Sequence, residues 1–341
     1  MPISFDDTGI KDRLYPFTAT RSAADIRVGI LTIREKWMLL QEKNIINNQE
    51  QVSIAANIIP QKTTAKEILT SSDRKTLLAG LEEQVLDHPW QIFQFNDRQL
   101  RQDFDLLTEQ RVSLPVSSTN QVTNPGAIFI EPGAIVEHCI LNASTGPIYI
   151  GRNANVMEGC MIRGPFAICE GAVLKMGTKS YGATTIGPYC VVGGELKNVV
   201  LFEYSNKAHD GYLGDSVVGA WCNLGAGTSN SNVLNTAGVV KVWDEAAGAY
   251  APVGLKSGLL MGDYSRAAIN TSFNTGTTVG VSCNVFGAGF PPKVVPSFSW
   301  GKERYTFEKA IEHIRNWKQI KGHVLTADEE LLLQDLYHHQ Q

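Results

Sequence analysis

One histidine marks the stretch of this sequence whose residue types are best suited to chemistry. His209 lies in the polar decapeptide NKAHDGYLGD, residues 206–215, between two apolar segments that repeat every six residues. Imidazole titrates near neutral pH, so a histidine there can take part in general acid–base catalysis. A histidine in a glycine-containing segment is also a common solvated turn residue, and both interpretations stay open at this point.

The segments around His209 must form the scaffold that positions it. Stepping by six residues gives a series dominated by branched aliphatic side chains: Ile150, Val156, Ile162, Ile168, Leu174, Ser180, Ile186, Val192 and Asn198. Mostly small side chains follow each of them four residues later, and the pattern returns from Met261 to Val285. This period matches neither a helix nor a single strand. It predicts a coil with three flat faces, stacked turn upon turn as parallel strands over residues 116–300.

Two segments break the repeat, residues 199–212 and 233–258, and we expect both to be loops that project from one edge of the coil. The proline-rich segment GFPPKVVPSFSWG predicts extended chain after the last repeat. Helical spacing then predicts two helices within residues 301–341, the second starting with a capping box formed by Thr326 and Glu329.

Charge and composition exclude several classes of partner. The formal net charge is −4, and no run of like charges predicts binding to nucleic acid or to an anionic membrane. The sequence shows neither a signal peptide nor a long apolar run, which indicates a cytoplasmic protein. Its six cysteines contain no C-x-x-C pair, so free thiols are expected rather than disulfides or a zinc site.

Residues 1–115 differ in composition and predict a modest α/β domain, joined to the coil by a Ser-, Thr- and Pro-rich linker at residues 106–126. The sequence contains neither G-x-G-x-x-G nor G-x-x-x-x-G-K-[ST], the two common phosphate-binding loops. Nucleotide binding by this region is therefore not established by its motifs.

Three short motifs carry a family resemblance: ELKN at 195–198, NKAHDGYLGD at 206–215 and NLGAGTSNSN at 223–232. With these spacings the coil resembles the left-handed parallel β-helix acyltransferases. It is most similar to the C-terminal domain of the bifunctional N-acetylglucosamine-1-phosphate uridyltransferase/glucosamine-1-phosphate acetyltransferase family. The whole chain resembles two-domain bacterial sugar nucleotidyltransferase-like proteins, through FDDTGIKDRLYPFTATR at its start and VPSFSWG near its end.

The resemblance implies a role for each matching residue. His209 takes the position of the general base, which removes a proton from a sugar amine as it attacks the thioester of acetyl-CoA or another acyl-CoA. It further implies a homotrimer with the acyl-CoA between adjacent subunits, acting on a sugar phosphate or nucleotide sugar. The other matches are Lys179, Lys197 and Tyr212 for the sugar phosphate, Asn232 for the sugar and Ala226 for the thioester. Lys293, in the proline-rich segment, is a candidate contact to a pyrophosphate by its charge and place and not by the resemblance.

The N-terminal resemblance is to sugar pyrophosphorylases, whose glycine-rich loop is reduced here to one glycine in DDTGIKDRLYPF. Nucleotidyl transfer requires carboxylates for Mg²⁺, which is a cofactor only if this region is active. The candidate ligands are Asp6, Asp7 and Asp97, with Lys11 and Arg21 as candidate phosphate contacts. The region is about half the usual length, and a reduced remnant that packs or binds is the competing interpretation.

Three function classes remain for comparison. The first is an acyl-CoA-dependent transferase of a sugar-nucleotide pathway, and the second is a non-catalytic sugar-nucleotide-binding or scaffold protein. The sequence Val233-Leu234-Asn235, where the family has Y-D-G, favours the second and leaves the acceptor undetermined. The third is a metalloenzyme resembling the γ-class carbonic anhydrases. It is disfavoured, because only His138 and His209 lie in the coil.

Overall fold

A computed structural model of the chain describes residues 3–46, 51–71 and 73–339. Its N-terminal region pairs two short parallel strands and carries four helices. These are β1 (Ile3–Asp6), α1 (Ile33–Glu42), β2 (Val52–Ala55), α2 (Ala65–Thr70), α3 (Arg74–Ala79) and α4 (Gln91–Thr108). The helix α1 begins at Ile33, because Thr32 forms a capping box with Glu35 there.

The repeat region is a parallel β-solenoid, consistent with the predicted left-handed β-helix of hexapeptide repeats. Its first strands are β3 (Gln121–Thr123), β4 (Ile128–Ile130), β5 (Ile135–Val136), β6 (Ile140–Asn142), β7 (Ile148–Ile150), β8 (Asn155–Val156), β9 (Met161–Arg163), β10 (Phe166–Ile168), β11 (Val173–Leu174), β12 (Lys179–Tyr181), β13 (Thr184–Ile186) and β14 (Val191–Val192).

The solenoid continues to Trp300. Its remaining strands are β15 (Glu195–Leu201), β16 (Asn206–Lys207), β17 (Tyr212–Val218), β18 (Asn223–Leu224), β19 (Ser229–Asn230), β22 (Leu259–Met261), β23 (Arg266–Ala267), β24 (Ser272–Phe273), β25 (Thr277–Val279), β26 (Asn284–Val285), β27 (Val294–Val295) and β28 (Ser299–Trp300). Between β19 and β22 the chain forms two strands of a separate sheet, β20 (Val240–Asp244) and β21 (Ala249–Gly254).

Three faces run along the solenoid. The first contains β4, β7, β10, β13, β22, β25 and β27, the second β5, β8, β11, β14, β16, β18, β23, β26 and β28, and the third β3, β6, β9, β12, β19 and β24. β15 and β17 cross from the third face to the first. Both apolar series point inward, and their side chains form one continuous core together with the small residues, as the six-residue spacing predicted.

Residues 199–212 do not form the projecting loop that the broken repeat predicted. They belong to two shorter turns, in which β14 pairs with β16 at Val191 and Asn206, and β15 with β17 at Glu195 and Tyr212. The register therefore advances by fewer residues than the 18 between Val173 and Val191. The phase of the hexads changes here without the chain leaving the solenoid.

Residues 233–258 do leave the solenoid, and their central part is the antiparallel hairpin β20–β21. The hairpin lies across the first face, where a side chain at Gly276 would meet the Lys241 carbonyl. It also reaches the N-terminal region: an Asp244 carboxylate oxygen lies 3.3 Å from Nδ1 of His88, and the Val253 carbonyl accepts from the Gln94 side-chain amide at 3.3 Å.

The N-terminal region packs directly on the first face of the solenoid. Outward side chains of that face, including Val200, Val217 and Leu260, are buried in the same apolar cluster as Phe17 and Trp37. The two regions therefore share a core. The domain boundaries at residues 115 and 300 stay predictions.

The C-terminal segment contains β29 (Glu303–Arg304), α5 (Phe307–Ile320) and α6 (Ala327–His339), and the predicted capping box of Thr326 and Glu329 is present. These helices pack beside the solenoid, over Tyr264, Val281 and Phe298. All six cysteines are free and buried. Within the part of the chain that the structure describes, no helix has the length and apolarity needed to cross a bilayer.

Candidate functional site

The third face carries a hydrogen-bonded group of polar side chains around Tyr212. The side-chain amide of Asn232 donates to the Tyr212 phenol oxygen at 3.1 Å. The phenol can fold back over its own strand because Gly214 has no side chain, whose Cβ would lie 2.2 Å from the Tyr212 oxygen. Burial and the nearby Asp215 carboxylate raise the pKa of Tyr212 to about 12, so this phenol stays protonated near neutral pH.

Asp215 anchors the same group from below. Its carboxylate is buried, and it accepts from Asn232 at 2.5 Å and from Asn198 at 2.8 Å. Side-chain amides from the turn before and the turn after Asp215 thus hold its buried carboxylate. Hydrogen bonds to Tyr212 and to Asp215 therefore hold the Asn232 side chain in one orientation.

A second pair of side chains lies one turn earlier on the third face. Tyr181 donates its phenol to Glu195 at 2.6 Å, and this hydrogen bond raises the pKa of Tyr181. The Lys197 ammonium lies 5.8 Å from the centre of the Tyr181 ring. Lys179 is exposed on β12, beside Glu195 in the strand register. Lys179, Lys197 and Tyr212 therefore lie on three neighbouring strands of one face.

His209 lies at the corner between the second and third faces. Its side chain is exposed, and no hydrogen bond to it occurs within the described residues. Ala226 occupies the same corner one turn later, because the Gly227 amide donates to the Asp210 carbonyl at 3.0 Å. The structure thus places His209, the candidate base, and Ala226, the candidate thioester contact, at the same corner of adjacent turns.

Further along this corner the surface becomes apolar. Ile269 and Phe286, on the next two turns, are 70% and 44% exposed. Exposed apolar side chains thus follow the backbone turn at Ala226 along this edge. Lys293 lies apart, half-buried before β27, where its carbonyl accepts from the Thr278 amide at 2.7 Å. The structure does not bring Lys293 next to His209.

The N-terminal candidates separate into two groups. Asp6, Asp7 and Lys11 line a cleft of about 640 Å³, together with Arg13 and with Ala246 from the hairpin. Asp6 accepts from the amide and hydroxyl of Thr8, which lowers the pKa of Asp6, and Asp7 accepts from the Ala23 amide at 2.8 Å.

Arg21 and Asp97 lie elsewhere. Arg21 bridges Glu203 at 3.0 Å and Asp263 at 2.6 Å, which ties the N-terminal region to the solenoid. Asp97 pairs with Arg101 on α4. The described residues contain no group of three or more His, Cys, Asp or Glu side chains that could hold a metal ion. Asp97 therefore does not lie with Asp6 and Asp7 in the cleft.

The chain is similar in sequence to known proteins. Residues 2–83 match the sugar nucleotidyl transferase family model. The chain is also similar to curated bifunctional GlmU proteins. It is 32% identical to the protein of Cyanothece sp. over 105 residues, which are 30% of this chain and 21% of that protein. It is 25% identical to the protein of Bartonella quintana over 207 residues, 55% of this chain and 43% of that protein.

The chain spans from about a fifth to less than half of the length of these GlmU relatives. The sugar nucleotidyl transferase family model matches the N-terminal region, and in the structure a β-solenoid follows this region. The family-model match and the similarity to curated proteins together establish a resemblance to GlmU proteins.

The interpretation of the sequence overlooked Asp215 and Asn198 as parts of the site. Both were within the quoted motifs, Asp215 as the last residue of NKAHDGYLGD and Asn198 as the last of ELKN. Asn198 also interrupts the aliphatic series of six-residue steps. A polar residue at a position where the series otherwise has aliphatic side chains was the available signal that the chain departs from the regular repeat there.

Proposed function

We propose that the chain is a transferase of a sugar-nucleotide pathway whose solenoid moves an acyl group from acyl-CoA to an amino-sugar phosphate or a nucleotide sugar. One observation carries the proposal. The third face aligns Lys179, Lys197 and Tyr212 beside a corner on which His209 and Ala226 occupy successive turns.

The proposed step joins an amine to an acyl group. His209 accepts a proton from the sugar amine as the amine nitrogen attacks the thioester carbonyl carbon. The carbon–sulfur bond then breaks, and the leaving thiolate takes the proton from the His209 imidazolium, which restores the neutral base. The amide of Ala226 would stabilise the developing oxyanion, and such a donor typically lowers the barrier by about 3–4 kcal/mol.

The polar group of the third face would bind the acceptor. Lys179 and Lys197 supply positive charge for a phosphate, and the Tyr212 phenol is a neutral donor that remains protonated at physiological pH. Asn232, fixed by Asp215 and Tyr212, would orient the sugar hydroxyl groups.

A homotrimer belongs to this proposal. The third face exposes Ile140 and Met161 to 44% and 41%, which gives a neighbouring copy an apolar surface to cover. The acyl-CoA would then lie between subunits, along the edge that carries Ala226, Ile269 and Phe286.

A second candidate is a non-catalytic sugar-nucleotide-binding or scaffold protein. The observation that favours it is the exposed His209 side chain, to which no described residue is hydrogen-bonded. In this case the third face would bind ligand without turnover, and the N-terminal cleft would be a remnant whose carboxylates serve local turns.

Substrate screening separates the two candidates. Purified protein would be incubated with acetyl-CoA and a panel of amino-sugar 1-phosphates, and separately with nucleoside triphosphates and sugar 1-phosphates. Release of free CoA that depends on the amino sugar supports acyl transfer. Ligand binding by calorimetry with no CoA release and no pyrophosphate release supports the binding protein.

A further inference from the structure

Lys207 has a position that the six-residue repeat reserves for aliphatic side chains. It pairs with Val192 in the register of the second face, its side chain points into the solenoid, and it is 1% exposed. Buried lysines without a carboxylate partner are rare, because removing an ammonium from water is costly. Apolar packing therefore does not explain why a lysine occupies this position.

The backbone corner on the turn before His209 explains the buried lysine. Between β14 and β15 the chain turns with only Gly193 and Gly194, whereas four residues separate β16 from β17 and β11 from β12. A side chain at Gly194 would lie 2.7 Å from the Gly211 carbonyl and 3.0 Å from the His209 carbonyl. The longer corner that carries His209 therefore leans inward over a shorter one.

At the corresponding corner of other turns, a threonine hydroxyl donates a hydrogen bond to the backbone carbonyl that points inward. Thr178 donates its hydroxyl to the Lys175 carbonyl at 2.6 Å, and Thr271 donates to the Ala268 carbonyl at 2.7 Å. In the strand register the equivalent positions around His209 are Gly194 and Gly211, which have no hydroxyl. Two consecutive turns thus lack their usual donor.

The Lys207 ammonium replaces it. Its Nζ donates to the Gly193 carbonyl at 3.3 Å and also to the His209 carbonyl. One cation therefore joins the short corner to the corner above it. Burial lowers the pKa of Lys207 to about 8, against the opposing effect of Asp210, which agrees with an enclosed amine.

We infer that Lys207 is a positioning residue: from inside the solenoid it fixes the backbone of the corner 208–211 and thereby the direction of the His209 imidazole. The inference rests on the proposed acyl transfer for its kinetic readout. Lys207 touches no substrate, since its ammonium lies within the core and its two acceptors are backbone carbonyls.

The test compares Lys207→Met, which keeps the length of the side chain and removes the donor, with Lys207→Gln, which keeps an N–H donor. Lys175→Met is the matched control, because Lys175 is an exposed lysine on the neighbouring corner. For the full-length protein we expect Lys207→Met to lower kcat by about 10- to 100-fold with KM for both substrates changed less than about 3-fold. Lys207→Gln should recover part of kcat, and Lys175→Met should match the wild type.

A second readout does not depend on turnover. The Hε1 resonance of His209 in the NMR spectrum, assigned with His209→Ala, should be single and sharp in the wild type and shifted or broadened in Lys207→Met. Wild-type kcat and an unchanged resonance in Lys207→Met would overturn the inference. If the wild-type protein transfers no acyl group, the proposed function fails, and the resonance alone decides on Lys207. Should Lys207→Met not fold, the same two readouts on Lys207→Gln against Lys175→Met decide.

Discussion

The side-chain amide of Asn232 joins Tyr212 to Asp215, two residues of the preceding turn, through hydrogen bonds of 3.1 Å and 2.5 Å. The insertion starts immediately after Asn232 and returns beside it, where the Ser257 amide donates to the Asn232 carbonyl at 3.0 Å. Asn232 therefore holds the candidate acceptor site and the root of the hairpin together.

We expect Asn232→Ala to lower the free energy of unfolding by about 1–3 kcal/mol, because it leaves the buried Asp215 carboxylate short of a donor. Urea denaturation measures this. Asn235→Ala is the matched control, since Asn235 is exposed in the same segment and its loss should cost less than about 0.5 kcal/mol. Equal effects of the two substitutions would contradict the role given to Asn232.

Lys207 predicts a pH dependence of stability. Its pKa is lowered from 10.5 to about 8 in the folded protein, so folding favours the neutral amine. This contribution is fully present above pH 10.5 and is lost as the pH falls toward 8. The wild type should therefore gain stability relative to Lys207→Met between pH 8 and pH 10.5, by up to about 3 kcal/mol. Urea denaturation of both proteins across this range measures the difference, and parallel curves would be inconsistent with a buried Lys207.

Arg21 predicts how the N-terminal region is attached. Its guanidinium bonds Glu203 and the buried Asp263, whose other oxygen accepts from the Ala220 amide at 2.7 Å. We expect Arg21→Met to cost about 3–5 kcal/mol, because Asp263 would keep a buried charge without its cation. Arg163→Met, an exposed arginine on β9, is the control. Equal unfolding temperatures for the two variants would show that the ion pairs of Arg21 contribute little to holding the N-terminal region on the solenoid.

The sequence predicted the interior of the solenoid well, because an inward position must be apolar in every turn and so leaves a visible period. Ile150, Leu174 and Val192 are completely buried, as their spacing required. The period could not reveal the two-residue corner at Gly193–Gly194, which shifts the phase without breaking the strand order. For the same reason Lys207 appeared to be part of a polar interruption, although its side chain lies in the core.

The candidate site was predictable only where short motifs carried it. Tyr212 and Asn232 lie 20 residues apart in sequence, and their contact depends on the length of one turn and on Gly214, which no local pattern specifies. The grouping of Asp6, Asp7 and Lys11 followed from their closeness in the chain. Asp97 was expected with them but lies on α4, since a helix of 18 residues carries it away from the loop after β1.

The most direct test of acyl transfer compares His209→Ala with His138→Ala. Both histidines are exposed on the solenoid, but only His209 lies beside Ala226 and the polar group of the third face. The measurement is the rate of amino-sugar-dependent CoA release at saturating acetyl-CoA and pH 7.5. Loss of a general base predicts a rate about 10²–10⁴ times lower for His209→Ala and an unchanged rate for His138→Ala. Equal rates for the wild type and His209→Ala would contradict the account.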